Sequence, residues 1–542
     1  MKTSLLTAFV LTLGSFPSAR AAGSPDQALN ALIDATASPA AVFDGSRFAS
    51  PAVAAPVSGH SHLAAPASNA SADSPSAERS PVDVAPTSAH GISDGRVGLY
   101  SEDDFVLGTG RCEACRGPRE GKWYFLDEVI ATPKAGAPAL VWIGSHELIE
   151  GATLSKDGTT VRLKDGTELP FALTPKIASN TSYYDASSLA FFAGRTLRIR
   201  GEYALVDGIR TLVARTIWPE DYRIDPAQLG AANATSSDGI DKLVTADEGG
   251  AAGPFSAKLL WERPDSGREW ADKPVMGFML NGGQGDDDET LGGHFSFFTG
   301  VYPAGGSMAD WMFDNFYDMD QVSEKAIVAS MVPLDKYMAD LNSGQSWYRP
   351  TDMLVLVMKD KRAPLQLQEK FKDQYAKYYA HTIKYDSVHK TCAALIVDPL
   401  KDEGWNIPAQ GPTPELIAQA AAKAIEYATK NPEAAKKVYD SLREEPTRLY
   451  PRASFDSAGG DLLSMEGAGA PEAAERKLSP LEKEIIEDLL AILYVRLPQL
   501  PSSRPFGREP AGGVMDYMLR VPLDRSKWKT HPTPPRPFPP AH

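Results

Sequence analysis

The stretch GGHFSFFTGVYPAGG, residues 292–306, places a histidine at the head of an apolar, aromatic segment. It follows the acidic run GQGDDDET, and aromatic residues framed by glycines are typical of a β-strand bounded by turns. Histidine occupies only nine positions in the 542-residue chain. Its position at the start of this predicted strand makes His294 a candidate for chemistry.

The first residues and the overall composition limit the class of protein. Lys2, an apolar run from Leu5 to Phe16 and small residues before Ala22 have the layout of a secretory signal peptide over residues 1–21, which predicts a secreted or periplasmic protein. No later apolar run reaches the roughly 20 residues that span a bilayer, so no transmembrane segment is expected. The net charge of −15 argues against a nucleic-acid partner.

The chain contains three cysteines, two of which lie close together after a tether. Residues 22–94 are rich in Ala, Pro and Ser and predict a disordered tether. Cys112 and Cys115 could form a redox motif, half of a zinc site or a local disulfide. The disulfide is favoured because the chain is predicted to be exported and has no second cysteine pair. Cys392 is left alone.

Residues 95–235 have the pattern of a β-rich module. Three Asp-Gly pairs, which favour tight hairpins, lie between alternating segments: Asp157-Gly158, Asp165-Gly166 and Asp207-Gly208. The module is predicted to be a small barrel or a sandwich.

The rest of the chain predicts an α+β domain followed by helices. Residues 255–410 combine strand-like segments with one segment of helical spacing. Residues 411–525 are predicted to be mostly helical, with a capping box at Ser479 that opens an apolar helix running toward Leu497. Residues 526–542 form a Pro-rich tail. The predicted fold class is therefore α+β.

Cys392 is the first residue of a predicted helix, because the apolar run AALIV follows it directly. The amide groups at a helix N-terminus lower the pKa of a thiol and can stabilise an oxyanion. The alternative is a buried structural residue, since free cysteine is among the most buried types. Pro399 predicts that the helix is short or kinked.

A histidine heading a strand, followed about a hundred residues later by a cysteine that opens a helix and then by a Gly-Trp turn, resembles the circularly permuted papain-like cysteine hydrolases. The resemblance covers about residues 275–415. That superfamily includes permuted cell-wall amidases and endopeptidases and the lecithin retinol acyltransferase group. The resemblance implies a permuted papain-like α+β fold in residues 255–410.

The same resemblance implies roles for individual residues. Cys392 would be the nucleophile and His294 its base, and Asn315 on the next strand would orient the histidine, with Asp314 as second choice. The family often has Asn directly before the cysteine, where this chain has Thr391. His389, three residues before Cys392, is the rival base.

Two further segments could line a site. The run at residues 286–289 could hold calcium but lacks the spacing of a calcium loop, which favours a solvated turn. Gln345, Trp347 and Tyr348 form an aromatic and amide cluster that would suit a glycan or peptide, although a packed loop explains them equally well.

The sequence therefore predicts an exported cysteine hydrolase or acyltransferase that acts on an amide or ester, with peptidoglycan peptide as the expected substrate class. The alternative is a non-enzymatic protein that binds the cell envelope or acts as a scaffold, with a degenerate papain-like domain. Metal-dependent hydrolysis through His294 and Cys392 is a third hypothesis, which lacks ligand spacing. Neither a metal nor a cofactor is expected, and the partner would be a cell-wall peptide or glycan.

Overall fold

The structure is a computed structural model of the chain. The described residues are 93–100, 103–112, 123–131, 147–173, 186–232, 234, 236–245, 255–282, 293–316, 330–339, 350–379, 383, 385–386, 388–465, 477–498 and 512. In the first three of these ranges only the backbone is described.

The N-terminal β-structure consists of a three-stranded sheet and a closed barrel. The sheet is antiparallel, in the order β1-β2-β3, with β1 at Ser93–Tyr100, β2 at Asp103–Cys112 and β3 at Trp123–Ala131. The barrel elements are β4 (Glu147–Leu154), β5 (Thr160–Arg162), β6 (Glu168–Leu173), helix α1 (Ala186–Phe192), β7 (Leu197–Val206) and β8 (Ile209–Pro219).

The barrel closes in the order β4-β5-β6-β8-β7, so of the two predicted alternatives the barrel is confirmed. Strands β6 and β8 are parallel, the other pairs are antiparallel, and a helix joins the third and fourth strands. A five-stranded Greek-key barrel of this topology is an OB-fold. All three Asp-Gly pairs lie between antiparallel strands, but only Asp207-Gly208 forms the tight two-residue turn, with φ of 53° and 80° between β7 and β8. The other two pairs lie in longer turns, in which only Gly158 and Gly166 have positive φ.

A short connection leads from the barrel to the second sheet. It contains a 3₁₀ turn at Pro226–Gln228, strand β9 at Gly230–Ala231 and helix α2 at Ser237–Thr245. The second sheet has eight strands in the order β14-β13-β12-β11-β15-β16-β10-β9, antiparallel except between β9 and β10. Its other strands are β10 (Ser256–Glu262), β11 (Pro274–Asn281), β12 (His294–Val301), β13 (Met312–Asn315), β14 (Ser330–Pro333), β15 (Thr351–Met358) and β16 (Leu489–Leu497).

The remaining helices follow from the sequence patterns, and they confirm the α+β class. Helix α5 continues through Pro399, so it is not cut short there. The helices are α3 (Leu334–Ala339), α4 (Arg362–Tyr379), α5 (Cys392–Asp402), α6 (Glu415–Thr429), α7 (Pro432–Arg443), α8 (Pro446–Leu449), α9 (Pro451–Met465) and α10 (Pro480–Asp488).

The two faces of the second sheet pack against different parts of the protein. On one face Phe297 stacks on Phe371 of α4, with ring centroids 5.1 Å apart, and Phe278 packs on Trp405 just after α5. We call this the helical face. On the other face, Phe313 stacks on Tyr337 of helix α3. The same helix carries Asp335, which forms ion pairs with two arginines of the barrel. We call this the barrel face.

The helix predicted to run toward Leu497 is wrong in its second half. The capping box at Ser479 is present and opens α10, but that helix ends at Asp488 and the next nine residues form β16. All nine are buried between β15 and β10, so the apolar run shows no alternation. A short apolar run of this kind does not distinguish a buried strand from a buried helix.

Candidate functional site

A polar cluster lies on the barrel face where β11, β12 and β15 meet. The side chain of Asn281 accepts a hydrogen bond from Tyr337 Oη at 2.7 Å and donates one to Thr351 Oγ1 at 2.7 Å. His294 is the cross-strand partner of Asn281, and its ring centroid lies 6.3 Å from that of Tyr337. These four residues are buried. The predicted base therefore lies in a closed, hydrogen-bonded environment.

The predicted orienting residue, Asn315, lies on the same face as His294. Asn315 is two residues from Phe313, whose ring stacks on Phe298 at 4.7 Å, and Phe298 shares a face of β12 with His294. Asn315 is also buried. The structure thus brings the predicted histidine and asparagine to one face of the sheet.

Cys392 is the first residue of α5, which confirms the predicted helix start. Thr391 caps the helix: its Oγ1 accepts a hydrogen bond from the Ala394 amide at 3.2 Å and donates one to the Arg448 carbonyl. The cysteine is not part of a disulfide, and it is buried with 6 % of its surface exposed. Helix α5 covers the helical face, whereas the strand alternation places His294 on the barrel face. The Cys392–His294 pair stays a prediction.

The rival base, His389, belongs to a surface ion network. Its Nδ1 lies 2.9 Å from Glu444 Oε2, and 55 % of its side chain is exposed. Arg448 binds both Glu444 and Asp398 in the same network. These contacts indicate a structural role for His389.

Asp314, the second choice for the orienting residue, lies on the helical face. It is the cross-strand partner of Phe297, and its side chain is fully buried. Burial raises the pKa of its carboxyl well above the usual range. Asp314 and His294 therefore do not share a face of the sheet.

A buried charged cluster between α9, α2 and the helical face was not predicted from the sequence. Asp352 accepts hydrogen bonds from Tyr494 Oη at 2.5 Å and from Arg496 Nε at 3.3 Å. Arg452 of α9 forms an ion pair with Asp241 of α2 and lies 3.6 Å from Asp456 Oδ2. The cluster arises in the segment PRASFDSAGGDLL, in which all thirteen residues are buried although five are polar.

The members of this charged cluster are strongly perturbed. Burial raises the pKa of Asp456 to about 8, against the opposing effect of Arg452. Burial likewise raises the pKa of Asp352, although Arg496 opposes it. Helix α9 approaches closely because it carries glycines here: a Cβ on Gly459 would lie 2.6 Å from Leu354 Cδ1. Perturbed carboxyl groups are frequent at functional sites, but a buried ion network has the same effect.

The most exposed apolar feature of the barrel is the hairpin of β7 and β8. At its tip, Leu205 is 65 % exposed and Ile209 is 59 % exposed. Next to them the Arg210 guanidinium lies 4.1 Å from the centre of the Tyr203 ring. We call these four residues the hairpin patch; Tyr203, Leu205 and Arg210 share one face of the hairpin, and Ile209 lies at its tip on the other.

Several predicted residues cannot be located. Gln345, Trp347, Tyr348 and Cys115 lie outside the described residues, and only the backbone of Cys112 is described. The disulfide and the aromatic cluster thus stay predictions.

Within the described residues there is no group of three or more His, Cys, Asp or Glu side chains that could hold a metal ion. Within the same ranges, no helix is both long and apolar enough to cross a membrane. Comparison with family models, curated proteins and solved structures finds no significant match to the chain.

Proposed function

We propose that the protein binds a glycan of the cell envelope through its barrel and acts as a non-enzymatic binding or scaffolding protein. The observation that carries the proposal is the hairpin patch. A tyrosine ring stacked under a guanidinium offers an apolar face and several hydrogen-bond donors side by side, which suits a sugar ring with its hydroxyl groups.

The hairpin patch lies beyond the closed part of the barrel. Among the described residues, β4 pairs with β7 only between Glu147–Ala152 and Leu197–Gly201, and within those ranges the outer half of β7 pairs with β8 alone. Exposed apolar residues at such a projecting hairpin are typical of an interaction site. In OB-folds the loop between the fourth and fifth strands contributes to binding oligosaccharides and oligonucleotides, and this fold-level analogy supports the proposal. The net charge of −15 favours the glycan.

Replacing the hairpin patch is expected to weaken glycan binding, and only the change at Tyr203, which is half-buried against the core, should also lower stability. Tyr203→Ala, and separately the double variant Leu205→Ser with Ile209→Ser, should each reduce affinity for purified peptidoglycan by about tenfold or more, since a buried aromatic anchor contributes over 1 kcal/mol. The measurement is co-sedimentation with insoluble peptidoglycan, with the melting temperature as a check on folding.

Helix α6 provides matched controls for this experiment. Tyr427 is 58 % exposed and lies 4.2 Å under Lys430 Nζ, and Leu416 is 81 % exposed. Tyr427→Ala and Leu416→Ser remove a cation–aromatic pair and a leucine that are both more exposed than their counterparts on the hairpin, and should bind like the wild type. Equal losses in the hairpin and control variants, or no sedimentation of the wild type, would refute a glycan site on the hairpin.

An acyl-transfer enzyme that uses Cys392 is the second proposal. It is supported by the position of the thiol at the N-terminus of α5, where the helix dipole favours the thiolate. It requires that His294 or another base lie within hydrogen-bond reach of the sulfur.

The pH dependence of alkylation distinguishes the two proposals. If the protein is the enzyme, iodoacetamide is expected to modify Cys392 of the folded protein at pH values well below the usual thiol pKa of about 8.5. His294→Ala should remove this reactivity at low pH. His389→Ala is the matched control. Modification of Cys392 only after denaturation would refute the enzyme proposal and leave binding as the one remaining proposal.

A further inference from the structure

Three buried oxygen atoms on the helical face accept no hydrogen bond from the residues that the structure describes. They are both carboxyl oxygens of Asp314 and the amide oxygen of Gln368. Both side chains are fully buried. Buried polar atoms nearly always have a partner, and an orphaned one indicates a water or an ion at that place.

These atoms lie in one layer between the sheet and helix α4. Gln368 Nε2 donates a hydrogen bond to Thr299 Oγ1 at 2.7 Å. Asp314 is the cross-strand partner of Phe297, and Thr299 is the next residue of β12 on the same face, so Asp314 and Thr299 are diagonal neighbours. Diagonal neighbours across antiparallel strands are about 7–8 Å apart, which their side chains can bridge with one shared ion.

The described residues around Asp314 supply no positive charge to its ionised form. Phe297 and Phe371 stack beside it, and no described residue forms an ion pair with its carboxyl group. The lysine on this part of α4, Lys370, is already bound to Asp402 at 3.4 Å and Glu403 at 3.2 Å. A buried carboxylate without a counter-charge is strongly unfavourable.

The ligands indicate the kind of ion. Carboxylate, amide and hydroxyl oxygens are hard donors, which suit alkali and alkaline-earth cations rather than soft metals. One carboxylate balances one positive charge, and the described part of the chain holds no larger set of acidic or histidine ligands nearby. We propose that Asp314, Gln368 and Thr299 bind an alkali-metal cation, Na⁺ or K⁺, between β12, β13 and helix α4.

Cation-specific stabilisation tests the site. The melting temperature of the full chain is measured at about pH 8 in roughly 0.1 M NaCl, KCl or N-methyl-D-glucamine chloride, the last being a cation too large for the site. The wild type is expected to melt about 2 °C or more higher in at least one alkali chloride, because a ligand that binds only the folded state stabilises it. Asp314→Asn should remove the difference, and Gln368→Met should reduce it.

Asp456→Asn, which removes another buried acid on the same face, is the matched control and should keep the cation response. Equal melting temperatures of the wild type in all three salts would overturn the site. So would a cation response that survives in Asp314→Asn. If Asp314→Asn does not fold, Gln368→Met and the wild-type salt comparison decide between the same outcomes.

Discussion

Replacing Asp335 with alanine is expected to lower the free energy of unfolding by about 3–5 kcal/mol, because two buried guanidinium groups lose the fully buried one of the two carboxylates that they share. Asp335 lies on α3 and is fully buried. Its Oδ2 accepts hydrogen bonds from Nε of Arg198 and Nε of Arg200, each at 2.8 Å, and both arginines belong to β7 of the barrel. The carboxylate therefore joins the barrel to the second sheet. Urea unfolding of the variant measures the loss.

Asp310, the second carboxylate in this network, provides a graded control. Asp310 also binds both arginines but is 25 % exposed, so Asp310→Ala should cost clearly less, since water can replace the lost carboxylate. Equal losses in the two variants would show that burial of Asp335 is not the cause.

The same network predicts acid sensitivity. Burial acts to raise the pKa of Asp335, but Arg200 and Arg198 overcome it and hold the pKa below the usual value of 3.8. A carboxyl group whose pKa is lowered on folding stabilises the protein above its unfolded pKa, and this contribution is lost as the pH falls through the folded pKa. The contact between barrel and sheet should thus weaken only in strong acid.

Asp456→Asn is expected to remove a loss of stability that the wild type shows as the pH rises from about 4 to about 8. Because burial raises the pKa of Asp456 from 3.8 to about 8, the folded state holds a proton that the unfolded state has lost between those values. Stability contributed by this group is complete below about pH 4 and declines as the pH rises to about 8. The variant should gain on the wild type by about 1.4 kcal/mol per pH unit across that window, read from urea unfolding at several pH values.

An exposed acid supplies the comparison for Asp456. Asp402 is 67 % exposed at the end of α5, so Asp402→Asn should follow the wild type at every pH. A constant offset between Asp456→Asn and the wild type, independent of pH, would mean that Asp456 is ionised in the folded protein.

Local signals in the sequence predicted the features that depend on a few neighbouring residues. The Asp207-Gly208 turn follows from the need for positive φ at both positions, and the start of α5 at Cys392 was indicated by the apolar run AALIV, to which the structure adds the cap at Thr391. The capping box at Ser479 is equally local. Each of these needs no knowledge of the tertiary structure.

Features that depend on distant contacts escaped prediction. The face on which His294 lies is set by the pairing of β12 with β11 and β13, and the alternation within GGHFSFF does not say which face meets a helix. Helix α9 is buried on all sides, so its polar residues carried no amphipathic pattern, and the partners Asp352 and Arg496 lie far away in the chain. The ion network there becomes visible only once the sheet has formed.

Strand β16 has a consequence for the order in which the protein assembles. It lies in the interior of the sheet, between β15 and β10, and it is made of residues near the end of the chain. Trp261 pairs there with Ile492, a contact that spans most of the length of the domain. Contacts between such distant residues slow folding, and domains made early in synthesis usually fold first. The barrel can close while the chain is still being synthesised. Strands β10 and β15, in contrast, cannot pair with β16, which lies between them, until residue 497 has emerged from the ribosome. The second sheet is therefore expected to fold late and slowly, with two of its strand edges exposed to chaperones in the meantime.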